Sequence, residues 1–217
     1  TEPSISALRL YYRCTPLPEG AHPINRLVGR DHAWIFAEEV KELIALSAGP
    51  DAEFPMPERL IRRVARFHLL DNVRGLADPF EPGDVRRAAA TLRVVASNAT
   101  RRTLAISGEW ASEKAFPGDA NYQGKLGVEG RLAGEFTIDL ASARIVRFRA
   151  IAEGQAWGAN SNTWHQPPGR FPLVIAIVDA DDPISRTLAP AWFVHGWPDL
   201  PFPAQPYVNP AMSFADL

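Results

Sequence analysis

"GEFTIDLASARIVRFRA", residues 134–150, decides how this chain folds. Apolar and polar residues alternate on both sides of a short small-residue break at 140–143, as in two strands of a hairpin. On the first arm Phe136 and Ile138 share a parity with Val128 and Leu132, while Glu129, Arg131, Glu135 and Thr137 share the other. On the second arm Val146, Phe148, Ala150 and Ala152 oppose Arg147, Arg149, Glu153 and Gln155. A slip of one residue would set apolar against polar, so the register is constrained. The matching register pairs Phe136 with Phe148, Ile138 with Val146, Glu135 with Arg149, and Arg131 with Glu153. Opposite charges across strands add roughly 0.2–1 kcal/mol per pair. Gly130, Gly134 and Gly154 weaken these strands locally and imply strong curvature or a close approach.

Working outward, further strands are expected at 5–14, at 171–179, and in a hairpin. Its arms "AATLRVVAS" and "RTLAISGEW" flank "NATR", with Leu92 and Val94 on one face with Leu104 and Ile106. Two amphipathic helices precede them. The first is "IFAEEVKELIALSAGP", with Phe36, Val40, Leu43, Ile44 and Ser47 on one face and Gly49-Pro50 as its stop. The second is "MPERLIRRVARFHLLDN", with Leu60, Ile61, Val64, Phe67 and His68 inside and Arg59, Arg62, Arg63 and Arg66 outside. Residues 15–32 are read as loop, punctuated by Pro16, Pro18, Gly20 and Pro23. The expected fold class is α+β. A curved antiparallel sheet or partial barrel of five to six strands carries the two helices on its concave face. Residues 1–183 form this single domain, and 184–217 form a proline- and aromatic-rich C-terminal arm.

Composition sets the outer limits. The chain has 217 residues, 46% hydrophobic and 22% charged, with a net charge of −2. That suits one globular domain with a real core and supplies no basic field for nucleic acid. No run approaches the ~18 apolar residues of a membrane span. Arg outnumbers Lys by 20 to 3, and the single cysteine, Cys14, excludes an intrachain disulfide. The start at Thr1 rather than Met is expected to reflect a removed leading segment.

Familiar catalytic signatures are absent: no Gly-x-Ser-x-Gly elbow, no His-Glu-x-x-His, no Cys-x-x-Cys and no Walker loop. Four stretches remain to be weighed. Cys14, His22, His32 and His68 carry the thiolate and imidazole groups that bind zinc or copper, at spacings of no known signature. His68 also reads as a core histidine bonded near Asp71. "WGANSNTWHQPPGRFP", residues 157–172, is a long polar loop in which Asn160, Asn162, His165 and Arg170 could contact a ligand. "DADDP" at 179–183 reads as a turn with a helix cap rather than a cation site. The arm interleaves Trp192, Phe193, Trp197, Phe202, Tyr207 and Phe214 with six prolines. It cannot form a regular helix or central strand, so its aromatics must lie on their own domain or on another protein.

"RFHLLDNVRG" (66–75), the "FTIDLASARIVRF" hairpin, "AWG" (156–158) and "PGRFPLVIA" (168–176) together resemble a family of uncharacterised bacterial proteins. The resemblance covers roughly residues 30–180, implies a secreted or periplasmic setting, with a cytoplasmic one as the alternative, and implies no catalytic residue.

The expectation is therefore a non-enzymatic binding or accessory subunit that meets a protein partner or oligomer through its arm, with no nucleic acid and no membrane span. Two alternatives stand beside it. One is a small-ligand carrier with a pocket between sheet and helices. The other is a metal-dependent enzyme built on the amino-terminal His/Cys group. No cofactor can be named from the sequence.

Overall fold

The structure, a computed structural model, describes residues 5–49, 53–115, 124–158, 165–180, 182–191 and 204–213. Strands β1 (Ile5–Arg13) and β2 (Gly29–Phe36) lead into helix α1 (Ala37–Leu46). A short strand β3 (Glu53–Pro55) precedes helix α2 (Glu58–Phe67). Then come β4 (Val85–Ser97), β5 (Arg101–Ala115), β6 (Lys125–Asp139), β7 (Arg144–Trp157) and β8 (Arg170–Asp179). The short helices α3 (Pro183–Thr187) and α4 (Ala204–Val208) follow. The strands form one open antiparallel sheet in the order β2-β1-β8-β7-β6-β5-β4-β3.

The sheet has eight strands, not the five to six expected from the sequence. The two additions, β2 and β3, are its two edges. In β2, Asp31, Ala33 and Ile35 are buried on the core face while Arg30, His32 and Trp34 alternate outward. An acid inside and a tryptophan outside disguise the period of two. Residues 29–32 are thus strand rather than loop, and Phe36 ends β2 instead of opening α1.

The central hairpin matches its expected register at three pairs: Phe136 with Phe148, Glu135 with Arg149, and Arg131 with Glu153. A bulge between Thr137 and Ile138 moves Ile138 opposite Ile145 instead of Val146. Leu92 faces Ile106 and Val94 faces Leu104.

Side chains of one parity from each strand line the core face, among them Leu10, Leu92, Ile106, Phe136, Ala152 and Ile175. Helices α1 and α2 cover one half, through Val40, Leu43, Leu60 and Ile61. The connector after α2 covers the other, through Leu69, Leu70, Val73, Ala77 and Phe80. Close cover needs small residues beneath it. Gly130 and Gly154 face each other across β6 and β7, and the Trp110 indole lies against Gly130. A Cβ on Gly154 would meet the Glu129 carbonyl oxygen at 1.9 Å, and one on Gly130 would meet Trp110 at 2.5 Å. This is the close approach that glycines inside strands imply.

An open sheet must protect its edges from pairing with another chain. β3 does so by being three residues long and carrying Pro55. β2 is sealed by side chains. His32 N donates to Asp31 Oδ1 (2.7 Å), Trp34 N to the Tyr207 hydroxyl (3.1 Å), and Phe36 N to Glu39 Oε2 (2.9 Å). Arg63 Nη2 donates to the Trp34 carbonyl (3.0 Å).

Arg63 and Arg66 are buried, 1% and 0% exposed, not outside as the helical pattern implied. Arg63 makes two bonds to Glu39, at 2.7 and 2.6 Å, and lies over the rings of Phe36 and Tyr207. Arg66 donates to the carbonyls of Phe80, Pro210 and Met212 and to Glu81. Burial draws its pKa down to about 10, against the opposing pull of Glu81 and Asp84. No helix among the described residues is long and apolar enough to cross a membrane.

Candidate functional site

A buried polar constellation lies where β2, α2 and α4 meet. Asp31 enters from the core face of β2, His68 follows the last turn of α2, and Tyr207 comes from the arm. All three are buried. Asp31 Oδ2 lies 3.0 Å from His68 Nδ1, and His68 Nε2 lies 2.8 Å from the Tyr207 hydroxyl. That hydroxyl accepts from Trp34 N, so its own proton is directed to His68 Nε2. A carboxylate can only accept, so an N–H on His68 Nδ1 donates to Asp31. The sequence reading placed the partner at Asp71. The structure gives Asp31, and Asp71 pairs instead with Arg74.

An imidazole between a carboxylate and a hydroxyl has the order of an activated nucleophile. Here the hydroxyl belongs to a phenol that is wholly buried. Burial pushes the Tyr207 phenol well above its ordinary range despite the opposing influence of Arg63. The array binds α4 to β2 and the end of α2, aided by edge-on packing of Phe67 and His68 on the Tyr207 ring.

The Tyr12 phenol, which donates to the His68 carbonyl at 2.9 Å, is pushed up as well, by burial and then by Asp31. In an unfolded chain both phenols ionise near pH 10. Above that pH the unfolded state has lost protons that the folded state keeps, so stability falls as pH rises. In an alkaline titration, tyrosinate absorbance from these two of the four tyrosines is expected only together with loss of the far-ultraviolet dichroism. Tyrosinate from Tyr12 and Tyr207 in a chain that is still folded near pH 11 refutes this, being about one unit above the free phenol.

The other candidates are placed as follows. His22 and His165 stack with ring centroids 4.2 Å apart. Asn25 Nδ2 donates to the carbonyls of both, and Arg74 Nη1 donates to Asn25 Oδ1 at 2.8 Å. The amino-terminal loop is thereby fastened to the end of the 157–172 loop. Arg170 lies 3.9 Å over the Trp157 ring and pairs with Glu129. Asn160 and Asn162 lie outside the described residues, as do Trp192, Phe193, Trp197, Phe202 and Phe214.

The four proposed metal ligands do not gather. Cys14 is buried, its thiol pushed up by burial against the influence of Arg74. His22 is with His165. His32 and Asp31 are adjacent on β2 and so face opposite sides of the sheet, which separates His32 from His68. Among the described residues, no group of three or more His, Cys, Asp or Glu side chains could hold a metal ion.

Between the helices and the sheet lies an apolar void of about 30 Å³, lined by Leu10, Ile35, Leu43, Leu60 and Phe136 among others. It sits where a carrier's pocket was expected, yet ligand pockets run to several hundred Å³, about tenfold more.

Sequence reasoning missed Asp31, Glu39 and Arg63. One signal was available: an acid at every other residue from Ala33 and Ile35 belongs to their face, and a buried acid needs a partner.

The arm begins on the other side of the sheet. Asp182 caps α3, accepting from Ser185 N at 2.9 Å, and the hydrogen bonds from Ser185 draw its carboxyl below the ordinary range. Arg9 donates to Asp182 at 3.2 Å and to the Ser185 hydroxyl at 2.5 Å. Trp34 Nε1 donates to the Leu188 carbonyl (3.2 Å), and Ala191 N donates to Asp31 Oδ1 (3.0 Å). Among known proteins, the chain matches no family model, no curated protein and no solved structure.

Proposed function

We propose that the chain is a non-enzymatic binding or accessory subunit of a secreted or periplasmic assembly, and that it meets a protein partner through its C-terminal arm. The observation that carries this reading is the apolar surface displayed by α3. Ile184 is 71% exposed and Leu188 44% exposed, on a segment fixed by the Asp182 cap and by Arg9. Fixing an apolar side chain in solvent lowers the entropy cost of burying it later against a partner. Tyr207 serves the other end of the arm as an internal anchor, buried against His68 rather than offered outward.

The test is native mass spectrometry of the protein isolated from its own source, with metal analysis on the same sample. Co-migration with another polypeptide is expected, and it should be lost in a doubly substituted Ile184→Asp, Leu188→Asp chain. A monomer carrying stoichiometric metal would sink this reading in favour of metal chemistry.

A further inference from the structure

We propose that the outer face of the sheet, centred on Ile151, is a docking surface for a second copy of this chain. The inference is independent of the arm. It rests on the arrangement of side chains that face away from both helices.

A band of small or apolar residues runs across this face from strand to strand: Thr91, Ser107, Ala133, Ile151, Ala176 and Tyr11, each opposite the next. Ile151 is its tallest aliphatic member and is 41% exposed, and its cross-strand neighbour Ala133 is exposed too. Charges flank the pair on both sides. On one side Glu135 stands on β6 and Arg149 opposite it on β7. On the other, Arg131 stands on β6 and Glu153 on β7. The signs alternate around the four corners of a square.

Among the described residues, only one of these four charges, Arg131, forms an ion pair. Although the register sets Glu135 opposite Arg149, neither they nor Glu153 form an ion pair among the described residues. Arg131, its side chain 85% exposed, turns to Glu109 at 3.7 Å.

Such a square fits itself. Consider a two-fold axis lying between two facing sheets, roughly along the strands and midway between β6 and β7. It lays β6 of one copy over β7 of the other. Arg131 then stands over Glu153, Glu135 over Arg149, and the small Ala133 over the projecting Ile151. By symmetry every contact occurs twice. A two-fold axis across the strands also matches the charges but stacks Ile151 on Ile151, so side-chain size selects the first arrangement. Facing sheets pack about 10 Å apart with strands nearly aligned, which this geometry satisfies.

Sedimentation velocity on the full chain tests the proposal. At low salt the wild type is expected to be dimeric at concentrations approaching about 1 mM, the weakest affinity of interest. One variant, Glu135→Arg with Glu153→Arg, makes the square wholly positive. The other, Arg131→Glu with Arg149→Glu, makes it wholly negative. Each alone is expected to be monomeric, and an equimolar mixture to form the heterodimer. Ile151→Glu, a single exposed change, is expected to abolish the dimer with an unchanged dichroism spectrum. A wild type that stays monomeric overturns the proposal, as does a dimer that survives all three variants.

Discussion

Replacing Arg63 with methionine lowers the unfolding free energy by about 3–5 kcal/mol, the range for removing one partner of a buried ion pair. The guanidinium and the Glu39 carboxylate are each about 1% exposed on their side chains, and two bonds join them. Without Arg63, Glu39 retains the Phe36 amide and a distant Arg59, 3.8 Å away and half exposed. The Trp34 carbonyl loses its donor as well. Domains of this kind are stable by about 5–15 kcal/mol, so the loss is a large fraction of the whole. The double substitution Glu39→Leu, Arg63→Met removes both charges and should recover much of the loss, because the larger cost lies in orphaning a charge rather than in lacking the pair. Urea denaturation of the three chains measures this. A single Arg63→Met change costing less than about 1 kcal/mol would mean that solvent or Arg59 compensates Glu39.

Gly154→Ala is the second large effect, with an expected cost of about 1–3 kcal/mol or more, from overpacking. The added methyl meets the Glu129 carbonyl oxygen at 1.9 Å and the Gly130 Cα at 2.7 Å. Both are backbone atoms of the paired strand and cannot rotate aside. Either β6 and β7 separate or the sheet flattens under Trp110. Gly169→Ala is the comparison that isolates the clash: no atom lies within 4 Å of its Cβ, and its φ of +68° carries only the backbone strain of a left-handed residue. Thermal unfolding should show Gly154→Ala as the more damaging of the two. The reverse order would show that the sheet yields more readily than a left-handed turn.

The centre of this sheet was legible in the sequence, and its rim was not, for one physical reason. β6 and β7 are long and half-buried, so burial alone writes an alternating pattern and fixes Phe136 against Phe148. The glycines at 130 and 154 announced the close approach that the structure shows. At the edges, residues answer to partners distant in the chain. Asp31 sits inside because His68, 37 positions on, donates a hydrogen bond to its carboxylate. Arg63 is buried because Glu39 lies one helix earlier, and Arg66 because carbonyls at 210 and 212 meet it. A helical pattern that places every arginine outside cannot anticipate these pairings, because long-range partners override the usual exposure of charge. The same limit applies to the site. His68 was recognised as a core histidine, but its real partner belongs to a strand hidden by its own acid.

The sealing of β2 also has a consequence in time. Translation delivers β2 well before the hydroxyl that caps its Trp34 amide, which lies 173 positions later. Strand β1 must likewise wait for β8 before it gains its second neighbour. Until those partners emerge, the β1–β2 hairpin therefore presents an unfinished border, and polypeptides in that condition are the ones that associate wrongly. A ribosome-bound chain halted before residue 204 should be the species that chaperones hold longest, and emergence of Tyr207 should close the border and end their engagement.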